Sequence, residues 1–137
     1  MVCSSPIIFS LNHNGKRFYR YIKDRDTFVG EVAYHFDGER QIYIADVIIY
    51  APYRGKGYGR KGLLLLCETS KTNGIRELYD DIAIDNSSVA LFLKCGFVEV
   101  LRTTEYVLVK KELCNRRIVD GNIVIEFPNA ICLCGFT

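Results

Sequence analysis

Apolar and polar positions alternate through much of the first half of the chain, a pattern typical of β-strands. Runs rich in apolar and aromatic residues occupy positions 7–11, 17–23, 28–36 and 41–50. The last two runs flank Asp37-Gly38-Glu39-Arg40, a composition typical of a hairpin turn. The first fifty residues therefore predict four strands and no α-helix.

The spacing of apolar positions lengthens after this hairpin. Over residues 58–73, Leu63, Leu66 and Cys67 fall on one face of a helix, and Asn73-Gly74 is typical of a helix end. The pattern predicts an amphipathic helix over this segment.

The rest of the chain reads as alternating strands and helices. A strand is predicted at residues 77–84, a short helix at 89–95, and a final hairpin at 97–102 and 105–111. Residues 115–137 form a C-terminal extension, with two strands predicted around Asp120-Gly121-Asn122. We expect a mixed α/β (α+β) fold with a central sheet flanked by helices.

Bulk composition sets limits on function. A chain of 137 residues with 49% apolar and 25% charged residues is typical of one soluble domain, and a net charge of +2 argues against a nucleic-acid partner. We expect no membrane span and no secretory leader, so the six cysteines are expected to be free thiols in the cytoplasm. Cys132 and Cys134 have no second ligand pair nearby, so no metal site is predicted.

A glycine-rich basic loop joins the fourth strand to the first predicted helix. A helix N-terminus offers unpaired N–H groups and the positive end of the helix dipole, and glycines let an anion approach them. We therefore predict a site for a pyrophosphate-sized anion in this loop, formed by Arg54, Gly55, Lys56, Gly57, Tyr58, Gly59 and Arg60.

Other phosphate motifs fit this loop less well. A P-loop requires Ser or Thr after Gly-Lys, whereas Gly55-Lys56 is followed by Gly57. Gly57, Gly59 and Gly62 satisfy the glycine pattern of a dinucleotide fingerprint, but no acidic residue about 20 positions further on ends a second strand in the usual way. Asp80 and Asp81 lie close to that position. A nucleotide-binding protein therefore stays open as an alternative.

Two motifs carry a family resemblance. The segment from Pro52 to Gly59 resembles the acetyl-CoA loop of the GNAT superfamily of N-acetyltransferases. The segment Asp81-Ile82-Ala83-Ile84-Asp85-Asn86, followed by Ala90-Leu91-Phe92 and Gly96-Phe97, is similar to the family's strand, Asn, short helix and terminal Gly-Phe. The resemblance covers about residues 28–111.

The resemblance implies acetyl transfer from acetyl-CoA to an amine by direct attack. It implies that loop amides from Gly55 to Arg60 hold the pyrophosphate and that the strand end at Ile48, Ile49 and Tyr50 pairs with the pantetheine arm. The N–H of Ile49 would polarise the thioester carbonyl. Asn86 would contact the pantetheine, although Asp85 competes for this role because the spacing to Gly-Phe is one residue short.

The resemblance leaves the proton-transfer groups less defined. Asp81 lies five residues before Asn86, where one branch of the family has a Glu that acts as the base. Phe92 occupies the place of a Tyr that often protonates the leaving thiolate, so Tyr106 or solvent would take that part.

A second set of candidates comes from the predicted hairpin. Simple register pairs Phe36 with Gln41 and therefore Glu31 with Asp46. Opposed carboxylates repel unless they hold a cation, share a proton or face water, so Glu31 and Asp46 could form a pocket for a cationic acceptor. A solvated sheet face is the alternative explanation.

The family usually has two helices between its first strand and its long hairpin, where residues 16–23 are predicted here to be extended. We expect a reduced N-terminal helical region, with one sheet face covered by the C-terminal segment or by a second subunit in a homodimer. The acceptor is expected to be a small-molecule or peptide amine. A non-catalytic acyl-CoA sensor is the alternative to an active enzyme.

Overall fold

The computed structural model describes residues 15–113, 115–119, 122–127 and 130–133. Six strands form a mixed sheet in the order β1-β2-β3-β4-β6-β5, and two α-helices accompany it. This arrangement confirms the predicted mixed α/β class. The elements are β1 (Arg17–Asp24), β2 (Thr27–Asp37), β3 (Ile42–Ile49), α1 (Tyr58–Thr72), β4 (Glu77–Ala83), α2 (Ser88–Lys94), β5 (Val98–Arg102) and β6 (Tyr106–Glu112).

The sheet opens between its two central strands. β1, β2 and β3 form an antiparallel meander, and β4 pairs antiparallel with β6. β3 and β4 run parallel and pair through Tyr43 with Leu78 and Ile44 with Tyr79. Beyond Ile44 the pairing between β3 and β4 ends, which leaves a gap beside the last residues of β3.

Helix α1 covers one face of the sheet because its apolar positions recur at helical spacing. Leu63, Leu66 and Cys67 are buried there. Gly62 allows close approach of the helix to β1, since a Cβ at this position would lie 2.5 Å from Cδ1 of Ile22. The same core contains the fully buried Leu78 of β4.

Helix α2 is fixed by aromatic packing and by one hydrogen bond at its end. Phe92 is 2% exposed, and its ring lies 4.9 Å from that of Phe97 in an edge-on arrangement. Lys111 Nζ donates to the carbonyl oxygen of Cys95 at 2.6 Å. These contacts place the N-terminal end of α2 beside the gap between β3 and β4, where both helices contribute to a groove.

The predicted hairpin register was wrong by two residues. Phe36 pairs with Tyr43 instead of Gln41, Ala33 with Asp46, and Glu31 with Ile48. The turn differs because Asp37 ends β2, where its Oδ1 accepts the N–H groups of Glu39 and Arg40, and Gln41 enters the turn with φ of 58°.

A two-residue shift preserves the face on which each side chain lies. Glu31 and Asp46 therefore remain on one face, but they are diagonal neighbours and not a directly opposed pair.

The segment before α1 contains no α-helix within residues 15–57. β1 confirms the extended structure predicted for residues 17–23. The strand predicted at residues 7–11 lies outside the described residues.

A second, three-stranded antiparallel sheet follows β6. It consists of β7 (Asn115–Val119), β8 (Asn122–Phe127) and β9 (Ala130–Leu133). The two strands predicted around Asp120-Gly121-Asn122 are confirmed, whereas the third was not anticipated. In the part of the chain that the structure describes, neither helix has the length and apolarity needed to cross a membrane.

Candidate active site

A groove of about 780 Å³ runs from the gap beside β3 to the N-terminal ends of α1 and α2. The structure brings together nine of the residues predicted to bind the cofactor. They are Ile48, Ile49, Arg54, Gly55, Gly57, Tyr58, Gly59, Arg60 and Asn86.

The N-terminus of α1 is open to an anion. Gly57 precedes the helix with φ of 88°, a conformation that favours glycine, and no side chain caps the helix there. The first helical hydrogen bond runs from the Lys61 N–H to the carbonyl oxygen of Gly57 at 3.3 Å. The N–H groups of the first turn therefore face the groove with the positive end of the helix dipole.

The charge of the groove has one sign. Its lining includes Arg54, Arg60 and Lys94 but neither Asp nor Glu among the described residues, and the first turn of α1 has no acidic residue. Three cations beside open amides favour a polyanion. Lys94 was not predicted, although its position four residues after Ala90 places both on one face of α2.

The last residues of β3 offer main-chain groups to the groove. Hydrogen-bonded and non-hydrogen-bonded pairs alternate in an antiparallel ladder. The Tyr50 N–H donates to the carbonyl oxygen of Val29 at 2.9 Å, so Ile49, opposite Gly30, belongs to a non-hydrogen-bonded pair. Its N–H therefore points away from β2 toward the gap. Arg54 Nε donates to the Ile49 carbonyl oxygen at 2.8 Å.

Asn86 lies at the start of α2, where it lines the groove. Its Oδ1 accepts the N–H of Ser88 at 2.8 Å, which orients the side chain. The Nδ2 amide is then available to a ligand, because no described residue accepts a hydrogen bond from it. Asp85 does not line the groove, so the geometry favours Asn86 in the competition between them.

Two predicted cofactor residues lie beside the groove. Lys56 lines a neighbouring cavity of about 280 Å³ with Asp24, whose carboxylate accepts a hydrogen bond from the Tyr58 hydroxyl. Tyr50 Oη donates to Glu31 Oε2 at 2.8 Å. Partial burial and this hydrogen bond raise the pKa of Tyr50 to about 12.

The residues predicted for catalysis do not line the groove. Asp81 is ion-paired with Arg40 at 2.8 Å, and Asp46 lies 3.4 Å from His35. Tyr106 lies opposite Ala83, next to the end of β4.

The burial of Asp80, which the sequence offered only as an acidic residue near a dinucleotide fingerprint, was not predicted. Asp80 pairs across the sheet with the buried Val109, on the face that the helices cover. Burial, with repulsion from Asp46 and Asp81, raises the pKa of Asp80 to about 8. An Asp-Asp dipeptide on a strand places its two side chains on opposite faces, a signal that one of them is buried.

Comparison with known families identifies this fold. The model of the acetyltransferase (GNAT) family matches residues 4–97, and the chain belongs to that family. An uncharacterised N-acetyltransferase, YycN, of Bacillus subtilis (strain 168) is 34% identical over 74 residues, or 53% of this chain. The match spans only 45% of that relative's length.

Solved structures share the fold at low sequence identity. A spermidine N-acetyltransferase from Vibrio cholerae, solved with CoA and spermine, has a TM-score of 0.65 at 20% identity, covering 74% of this chain and 68% of its own. A putative acetyltransferase from Salmonella typhimurium, solved with acetyl-CoA, has a TM-score of 0.62 at 20% identity, and the match covers 71% of this chain and 65% of the Salmonella chain. These likenesses confirm the mixed sheet and helices as the fold of this family.

Proposed function

We propose that this protein is an acetyl-CoA-dependent N-acetyltransferase that moves an acetyl group to an amine by direct attack. One observation carries the proposal: a groove lined, among the residues that the structure describes, by three cations and no carboxylate joins the uncapped start of α1 to the end of β3, which no longer pairs with β4. Family membership and the relative named an N-acetyltransferase support it.

The residues fit acetyl-CoA along the whole groove. Amides from Gly55 to Arg60 would hold the pyrophosphate, with Arg54, Arg60 and Lys94 adding charge. When bound, acetyl-CoA supplies the thioester from which the acetyl group is transferred. Asn86 Nδ2 would orient the pantetheine arm, and the Ile49 N–H would donate to the thioester carbonyl oxygen and make its carbon more electrophilic.

The proton transfers are assigned by position. The amine must lose a proton before it attacks, because a primary ammonium has a pKa near that of lysine, about 10.4. We propose that Glu31, Asp46 and Asp81, which share the sheet face opposite α1, meet the cationic acceptor, with water carrying the proton away. Tyr106 remains the proposed donor to the thiolate, since Phe92 has no proton to give.

Charge reversal at neighbouring positions tests the cofactor site. Arg60 lines the groove and Lys61 does not, although both are exposed in the first turn of α1. Calorimetric titration with acetyl-CoA is expected to show that Arg60→Glu raises the Kd about tenfold or more. The rise in Kd caused by Lys61→Glu is expected to be several-fold smaller.

Thiol release from acetyl-CoA during a screen of amines then measures turnover. Equal loss of affinity in both variants, or no binding by the parent protein, would remove the basis of the proposal. Binding of acetyl-CoA without turnover on any amine would favour the second candidate, a non-catalytic acyl-CoA sensor. The burial of Phe92 at the usual Tyr position supports that candidate.

We also propose a homodimer formed through β5. This edge strand exposes all five residues, including Val98 at 58% and Leu101 at 47%. Exposed apolar side chains on an unpaired strand edge mark an interaction surface. A neighbour of the same fold, the spermidine N-acetyltransferase of Vibrio cholerae, has a dodecameric form.

A cytoplasmic location is proposed from cysteine chemistry. Cys67 and Cys95 are buried free thiols, which is usual for proteins in a reducing compartment. Immunofluorescence or cell fractionation would test the location, and recovery with secreted proteins would contradict it.

A further inference from the structure

A second polar cluster lies next to the groove, on the sheet face opposite α1. Glu31 is its centre and pairs across the strands with Tyr21 on one side and Ile48 on the other. Tyr50 Oη donates to Glu31 Oε2 at 2.8 Å. Tyr19 also hydrogen-bonds Glu31, and burial together with this bond raises the pKa of Tyr19. We call Glu31, Tyr19, Tyr21 and Tyr50 the tyrosine box.

The box has unused capacity for a cation. A carboxylate has about four acceptor positions, more than the three phenol groups of the box can fill with one O–H each. Within the described ranges, no Lys or Arg is ion-paired with Glu31, whereas Asp37, Asp81, Glu77 and Glu99 all have such a partner. Glu31 therefore presents a fixed negative charge to the solvent side of the sheet.

The aromatic rings of the box suit an ammonium group. The rings of Tyr19 and Tyr21 meet edge-on with centroids 5.2 Å apart, and Phe28 packs against Tyr21 at 5.4 Å. Lys23 Nζ already lies 5.6 Å from the centre of the Phe28 ring, so one ring of this cluster accepts a cation in the folded chain. A carboxylate with aromatic walls binds ammonium through both charge and ring faces.

The tyrosine box lies next to the proposed thioester position at Ile49 but does not overlap it. Ile48, opposite Glu31, lines the groove. The N–H of Ile49 points away from β2, the strand that carries Glu31. Adjacent strands lie about 4.8 Å apart, so Glu31 is roughly one to two strand spacings from the thioester position. One nitrogen cannot occupy both positions.

We infer that the tyrosine box binds a second, non-reacting cationic group of the acceptor, which makes the preferred substrate a diamine or longer polycationic amine. This inference rests on the proposed acetyl transfer. The charge held by Glu31 fixes one end of the acceptor while its other amine reaches the thioester at Ile49. A monoamine of equal length lacks the group that the box holds.

Matched acceptors test the inference. Thiol release from acetyl-CoA is measured with tetramethylenediamine and with butylamine, which differ by one amino group. The parent protein is expected to favour the diamine in kcat/KM by about tenfold or more, the effect of one charge-assisted hydrogen bond to a carboxylate. In Glu31→Gln the preference is expected to fall to near unity, mainly through a higher KM for the diamine.

Glu77→Gln is the matched control, because Glu77 is a carboxylate on β4 that is paired with Lys110 and lies outside the groove lining and outside β5. It is expected to retain the diamine preference. Acetyl-CoA affinity and the midpoint of thermal unfolding, measured for all three proteins, show that Glu31→Gln is folded and binds the cofactor.

The outcomes separate the two proposals. Absence of acetyl-CoA binding by the parent protein would overturn the acetyltransferase assignment and, with it, this inference. Acetyl-CoA binding with equal use of both amines, with no use of either, or with an unchanged preference in Glu31→Gln would overturn the inference alone.

Discussion

At the scale of single residues, Asp80 is a group whose pKa lies far from the ordinary value of its side chain. Its carboxyl has a pKa of about 8 because burial and two nearby carboxylates disfavour the charged form. An unfolded Asp has a pKa of about 3.9. Between these two values the folded chain holds a proton that the unfolded chain has released, so stability falls as pH rises through this interval.

The first prediction concerns Asp80→Asn, which keeps the shape of the side chain and removes the titration. The variant is expected to gain stability over the parent as pH rises, by up to about 1.4 kcal/mol for each unit of pKa shift. Urea unfolding at about pH 5 and about pH 8.5 measures the difference, which should be larger at the higher pH. Asp85→Asn, at an exposed position, is the control. A pH-independent difference for Asp80→Asn would contradict the assignment.

At the scale of elements, the site depends on how closely strands and helices approach. A Cβ on Gly30 would fall far inside van der Waals contact with the main-chain oxygen of Ile48, next to the proposed thioester position. A Cβ on Gly62 would meet side-chain atoms, with Cδ1 of Ile22 at 2.5 Å and Cγ1 of Val32 at 3.3 Å. Gly30→Ala would therefore have to displace main-chain atoms of β3, whereas Gly62→Ala would displace side-chain atoms.

We predict that Gly30→Ala destabilises the fold more than Gly62→Ala. The main chain of β3 cannot shift without disturbing its ladder with β2, whereas Ile22 can change its side-chain conformation. Overpacking costs about 1–3 kcal/mol, and Gly30→Ala is expected at the upper end of that range. Denaturant unfolding of both variants measures the difference. A larger loss in Gly62→Ala would show that contact between α1 and β1 is the tighter of the two.

Element type and order were predictable, because alternation, helical spacing and turn residues are local features of the sequence. The hairpin register was not predictable, because Asp37 belongs to β2 instead of the turn and Gln41 belongs to the turn instead of β3. A two-residue shift of this kind leaves every side chain on the same face, so the apolar pattern does not detect it. The groove loop was predictable since glycine and charge mark it directly. The burial of Asp80 and the phenol contacts of Glu31 depend on neighbouring strands, which spacing along one strand does not specify.

At the scale of the whole molecule, β5 leaves an apolar edge on the six-stranded sheet. We predict that Val98→Lys shifts the protein from dimer to monomer, because a charge on the edge opposes strand-to-strand association. Leu64→Lys, at an exposed apolar position on α1, is the matched control. Sedimentation velocity distinguishes the states, and a parent protein that is monomeric at every concentration would contradict the proposed dimer.

In the proposed complex, main-chain amides at the start of α1 hold the diphosphate of acetyl-CoA. Backbone amide NMR during titration with acetyl-CoA observes those groups directly. We predict saturable shifts that are largest for the amides of Gly55, Gly57, Tyr58, Gly59 and Arg60, with a second set at Ile49 and Asn86. Saturable binding that leaves the amides at the start of α1 unchanged, or no binding at all, would contradict this prediction.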